Sequence, residues 1–414
     1  MGTAPSGVAR CRAHRGTGRG VGSRYLSVSE PPVLSPRATA ARQTAVTGTG
    51  WAGTNASGRR VRTVAFYLPQ YHTIPENDEW WGPGFTDWVN VKSTRPRFRG
   101  HAQPDLPGEL GCYDLTDRGV MQAQADLAAA HGVDAFCYYH YWFSGRRLLE
   151  APFARVLASP RTTLPFCLCW ANENWSRRWD GGGGEVLVEQ TYSEEDDREH
   201  GRWLAAVFAD PRYLRVDGRP LFLVYRALHH PDIASATAIW REEARRAGVG
   251  DVFLCRMESF AEERGDPTKL GFDAAVDFAS PMHHQGTTVQ SLVARSLRRL
   301  GASPRTIRFD YGRAVARATR RRPPEYLCFP GVMPGWDNSP RRARNATVFQ
   351  GATPQRYQEW VTHAADSALQ VKAGDTFVFV NAWNEWAEGA HLEPGQRYGR
   401  AFLQAHRDAM ARIR

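Results

Sequence analysis

Apolar runs that do not alternate with polar residues are the strongest constraint in this sequence. They recur as TVAFYLPQYH (Thr63–His72), VDAFCYYHYW (Val133–Trp142), LPFCLCWANE (Leu164–Glu173), PLFLVYR (Pro220–Arg226), DVFLCRMES (Asp251–Ser259), GFDAAVDF (Gly271–Phe278), YLCFPGVMPGWDN (Tyr326–Asn338) and TFVFVNAWNEW (Thr376–Trp386). Short continuous apolar segments suit parallel strands covered on both faces. Amphipathic helical patterns fall between many of them. One opens at Thr116 or Asp117 and stops at Gly132; another opens at Ser193 with acids in its first turn and stops at Pro211. Strands alternating with helices in this number predict an α/β fold of the (β/α)8 TIM-barrel type, occupying residues 61–414.

The intervals after the first strand (Ile74–Tyr113) and the sixth (Pro281–Pro324) are long, so long βα loops are expected there. A barrel of this kind builds its site at the C-terminal ends of its strands. Those ends carry amides, carboxylates and aromatic rings nearly all the way round. Tyr71, His72, Tyr139, His140, Trp170, Asn172, Glu173 and Asn384 are the candidate sugar-binding residues, because ring faces stack on sugar C–H faces and polar groups meet hydroxyls.

The net charge of +10 invites a nucleic-acid reading, but its location argues against one. Residues 1–62 hold ten Arg, no Lys and a single acid, Glu30, so the remainder is close to neutral. Residues 1–60 are rich in Gly, Ser, Thr, Ala and Arg, show no periodicity, and read as a disordered basic tail. The tail has no continuous apolar segment of the secretory type, and no run in the chain approaches the roughly 18 apolar residues of a membrane-spanning helix. Most of the seven Cys lie inside apolar runs and none has zinc-ligand spacing. A cytoplasmic protein without cofactor or metal is expected; His283 and His284 have no carboxylates clustered near them in sequence.

The eighth run ends in NEWAEG, with Glu385 and Glu388 three residues apart. If the chain curls into a helical turn after Ala382, both carboxylates can aim into the barrel mouth. A carboxyl pair across a glycosidic bond can act as acid on one side and as base or nucleophile on the other. Trp383 and Trp386 would desolvate the pair and help one member keep its proton. Glu385 and Glu388 are therefore the candidate catalytic residues, with an oligosaccharide or polysaccharide as the partner.

The blocks AFYLPQYHTIPENDEWWGPGFTDWVNV (Ala65–Val91), AFCYYHYWFSGRRLLE (Ala135–Glu150), LCWANENWSRRWDG (Leu168–Gly181) and NAWNEWAEG (Asn381–Gly389) together resemble the glycoside hydrolase family 99-like proteins. That group includes the WbsX-type proteins of bacterial polysaccharide loci. The resemblance implies a (β/α)8 barrel that cleaves an α-mannosidic bond with retention. It also implies that Glu385 is the base on the sugar's own 2-hydroxyl, giving a 1,2-anhydro intermediate, and that Glu388 is general acid and then base.

WbsX-type proteins are also labelled glycosyltransferases, so transfer in surface-polysaccharide assembly stands as the alternative chemistry. The sequence has no Asp-x-Asp pair and no glycine-rich phosphate fingerprint; the glycine run Asp180–Glu185 is not flanked as such a fingerprint requires. A barrel that only binds glycan is the non-enzymatic alternative.

Overall fold

The computed structural model describes residues 60–159, 164–176, 185–279, 306–370 and 374–413, together with Val293 and Ser296. The basic tail up to residue 59, most of the Asp180–Glu185 glycine run and the His283–His284 pair lie outside them.

All eight apolar runs contain strands of one parallel sheet. They are β1 (Val61–Tyr67), β2 (Ala135–Phe143), β3 (Phe166–Trp170), β4 (Arg219–Val224), β5 (Phe253–Met257), β6 (Ala274–Val276), β7 (Cys328–Phe329 and Gly331–Val332) and β8 (Thr376–Val380). Neighbours in sequence are neighbours in space, from β1 round to β6. β8 pairs with β1, Val64 standing opposite Phe379.

Closure falls to β7. Its first half pairs with β6 and its second half with β8, and Pro330 alone separates the halves. Proline has no N–H to give a ladder, so the assigned strand breaks there. The Pro330 carbonyl nevertheless accepts from the Phe379 N–H at 2.9 Å, which carries the ladder across the break.

The strands are buried on both sides, as their composition requires. Inside, Phe66 meets Phe278 at 5.3 Å and Phe379 at 5.6 Å between ring centroids. Burying each such ring contributes about 1.5–3 kcal/mol. Outside, β2 and β3 are covered by α5 (Glu194–Phe208) and its neighbour α6 (Ile233–Arg246), through contacts such as Trp170 on Trp240. Ser193 caps α5 by accepting from the Asp196 N–H, and Asp232 caps α6 by accepting from Ser235.

Two excursions build the rim. The loop after β1 carries α1 (Pro75–Trp81) and α2 (Asp87–Ser93). The second extends from β7 to a two-stranded parallel ribbon in which Ala346–Gln350 pairs with Thr306–Asp310. Just past α7 (Tyr311–Arg320), Arg321 turns inward to bond the Asp277 carboxylate at 3.0 Å.

Candidate active site

Beyond β8 the chain folds back on itself. Asn384–Glu385 pairs antiparallel with Ala390–His391, and Trp386–Glu388 forms one 3₁₀ turn between them. In a 3₁₀ turn residues three apart eclipse one another, so Glu385 and Glu388 share one side. Gly389 closes the turn at φ 58°, and a Cβ there would come within 2.9 Å of the Asp337 nitrogen. Asp337 in turn donates its N–H to the Glu388 carbonyl at 2.6 Å. Tyr71 grips the backbone on both sides of Glu385: its hydroxyl donates to the Asn384 carbonyl at 2.8 Å and accepts from the Trp386 N–H at 3.1 Å.

Both carboxylates meet one guanidinium. Arg341, from the loop after β7, places Nη2 3.1 Å from Glu385 Oε2 and Nη1 2.9 Å from Glu388 Oε1. The same Arg341 also pairs with Asp87 at the start of α2. Arg341, Asp87 and Glu385 are buried, whereas Glu388 keeps 24% of its side chain exposed. Burial works against the Arg341 charge, but the three carboxylates hold its pKa well above the ordinary value. Three carboxylates against one cation leave an excess of negative charge in a dry place. Burial first, then the Glu388 and Asp87 charges working against the pull of Arg341, push the Glu385 carboxyl up to about 8. Glu385 therefore holds its proton more tightly than an ordinary carboxyl does.

Phenols line the wall facing this pair. Burial and the Glu385 charge raise Tyr139 and Tyr141, and burial with the Glu173 and Glu388 charges raises Tyr225. Glu173 is part-exposed and bonded to Arg226 at 2.9 Å. Half-buried rings extend the wall outward: Tyr141 lies edge-on to Trp175, and Trp175 to Trp80. A cavity of about 570 Å³ adjoins the site through Arg341 and Gln70, between the loops after β1 and β7. Among the described residues no group of three or more His, Cys, Asp and Glu is arranged to hold a metal ion.

The ten residues singled out from the sequence separate into groups. Glu385 and Glu388 meet at Arg341, the Glu385 charge reaches Tyr139, the Glu173 and Glu388 charges both reach Tyr225, and Tyr71 holds the backbone beside Glu385. Asn172 and Asn384 are buried clamps of the same design. Asn172 accepts from the Arg226 N–H at 2.8 Å and donates to the Arg226 carbonyl at 2.8 Å. Asn384 does the same to Leu68, at 2.7 and 3.0 Å. Their amides are spent on backbone.

His140 and Trp170 point to the helix layer rather than the mouth. His140 bonds His200 at 3.1 Å and stacks on Trp203, and Trp170 packs on Trp240. Burial lowers His72, and the charges acting on it are Asp114, Glu150 and Arg155, not the glutamate pair. Trp386 is buried against His391 and donates to Glu393 at 2.7 Å, so it shapes the turn rather than offering a free face.

Asp87 and Arg341 were not singled out from the sequence. Asp87 sits in the block GPGFTDWVNV, where its place ahead of an apolar run reads as a helix start. Arg341 stands in SPRRARN, which reads as a solvated charge run.

The model of the family described as glycosyltransferase WbsX matches residues 63–406. The protein WxcX of Xanthomonas campestris pv. campestris (strain B100) is 48% identical over 351 residues, covering 84% of this chain and 49% of the relative. Its counterpart in strain ATCC 33913 is 46% identical over 357 residues, with the same coverage. The chain thus spans about half the length of the curated relatives it matches. Among solved structures, a glycoside hydrolase-like protein superposes with a TM-score of 0.55 at 14% identity, over 87% of this chain and 97% of that one. The GH99 endo-alpha-mannosidase from Bacteroides thetaiotaomicron superposes with a TM-score of 0.51 at 15% identity, over 85% and 97%. At such identities the likeness is one of fold.

Proposed function

Because this chain belongs to the WbsX glycosyltransferase family and has a glycoside hydrolase-like barrel, we propose that it is a carbohydrate-active enzyme whose reacting groups are Glu385 and Glu388. The observation that carries the reading is the shared guanidinium: Arg341 holds both carboxylates on one side of a turn at the C-terminal end of β8. The leading chemistry is cleavage of a mannose-type glycosidic bond with retention.

The family 99 resemblance makes Glu388, the more exposed of the pair, the acid that protonates the leaving oxygen and then the base that activates water, so the reacting form carries its proton on Glu388 and has Glu385 ionised. Glu385 is the base on the sugar's 2-hydroxyl, as the family 99 resemblance implies. Once ionised, a carboxylate with so raised a proton affinity draws a proton from a hydroxyl better than an ordinary one. The part-exposed rings of Trp80 and Trp175 give the sugar a stacking wall.

The family's own description supports a second reading, in which the same pair passes the glycosyl group to a sugar hydroxyl instead of water. The test is to incubate the protein with α-mannans and with surface polysaccharide of the source cells. New reducing ends, with the first-formed anomer retained, support hydrolysis. Elongation of an added acceptor without new reducing ends supports transfer. Neither product from any glycan or activated donor would contradict the proposal.

A further inference from the structure

The cavity of about 570 Å³ beside Arg341 is large enough for one or two sugar rings, and its charge is one-sided. Trp81 and Phe85 form an aromatic wall, with ring centroids 5.8 Å apart. Asn90 and Ser93 supply polar atoms to the lining. Arg95 stands exposed at the rim and, among the described residues, makes no ion pair. Arg341 forms the inner end, its charge already met by Asp87, Glu385 and Glu388, and no Asp or Glu is among the described residues that line the cavity. Arg97 ties the two walls together, donating from α2's flank to the Ser339 and Arg342 carbonyls at 2.6 Å.

A neutral sugar would need the aromatic wall and the amide but would gain nothing from a cation at the rim. The catalytic centre is itself rich in carboxylates, so an anion on the substrate is repelled there unless a separate cation receives it. Resting on the functional reading above, we infer that this cavity is a subsite for a sugar bearing an anionic group, with Arg95 as its specificity-determining residue. The anion is a carboxylate of an acidic sugar or a phosphate ester of a glycosyl group; Arg meets both through the same planar fork.

Binding to the full-length chain is measured by isothermal titration with three probes: mannobiose, a mannuronate disaccharide and mannose 1-phosphate. Wild type is compared with Arg95→Ala and Arg95→Lys at low and high salt. The expected result is that at least one anionic probe binds about fivefold more tightly than mannobiose, the scale of one exposed ion pair. Arg95→Ala removes that preference, Arg95→Lys keeps part of it, and salt weakens it. Preference for the mannuronate probe assigns an acidic sugar, and preference for mannose 1-phosphate assigns a phosphorylated one.

Equal binding of all three probes, or a preference that survives Arg95→Ala, would overturn the inference. Failure of the functional reading shows differently. Anion-selective binding with no glycosidic turnover would leave the subsite standing and remove the enzyme. Turnover of neutral glycans with no anion preference would do the reverse.

Discussion

Arg341 donates from Nη1 to the Glu388 carboxylate at 2.9 Å, and the two residues come from the loops after neighbouring strands β7 and β8. That contact, with the ion pair between Nη2 and Glu385 at 3.1 Å, sets the two glutamates around one cation.

Replacing Arg341 by Ala leaves the buried Asp87 carboxylate without its cation. Breaking a buried pair in this way costs about 3–5 kcal/mol. Calorimetry is expected to show a large fall in Tm together with loss of turnover. Arg341→Lys keeps the charge but cannot bridge two carboxylates in a plane, so it should recover more stability than activity.

Stability should fall as pH rises across the neutral range. The folded-state pKa of Glu385, about 8, lies above the ordinary carboxyl value of 4.5. The proton it holds therefore stabilises the fold fully below about pH 4.5, and that contribution is lost as pH rises through about 8. Glu385→Gln cannot titrate, so its Tm should decline less than that of the wild type between these limits. Parallel Tm curves for the two proteins would contradict the assignment of the stored proton.

The same proton tests the direction of catalysis. If Glu385 is the base, it must be ionised, and kcat/KM should rise with pH along a limb near 8. A limb near that pH on which the rate falls would make Glu385 the acid and reverse the roles of the pair.

Asn172→Ala should destabilise the protein by about 1–3 kcal/mol, because it leaves the buried Arg226 N–H unpaired, although the Arg226 carbonyl keeps the His229 N–H. KM of the folded enzyme should stay unchanged. A raised KM with no loss of Tm would return Asn172 to the sugar.

The barrel was legible because strands buried on both faces cannot hide: LPFCLCW and TFVFV admit few other readings. The glutamate pair was legible because it ends the last of those runs. What could not be read was direction. In AFCYYHYWF nearly every residue is large and ring-bearing, so no alternation marks Tyr139 as facing the mouth and His140 as facing the helices. Asn172 and Asn384 have the chemistry of sugar ligands, and only the neighbouring strand ends show that backbone uses it up. Arg341 lies among other arginines in a loop, where the sequence alone gives no sign that one of them is drawn into the barrel by three carboxylates.

Reaction of Glu388 and Glu385 with a glycosidic bond is checked with three proteins. Wild type, Glu388→Gln and Glu385→Gln are assayed side by side on the polysaccharide the wild type acts on, with circular dichroism to show that each is folded. Each folded variant is expected to lose about 10²–10⁴-fold in kcat, the scale of a general acid or base. Folded variants that turn over the glycan as fast as the wild type would contradict it.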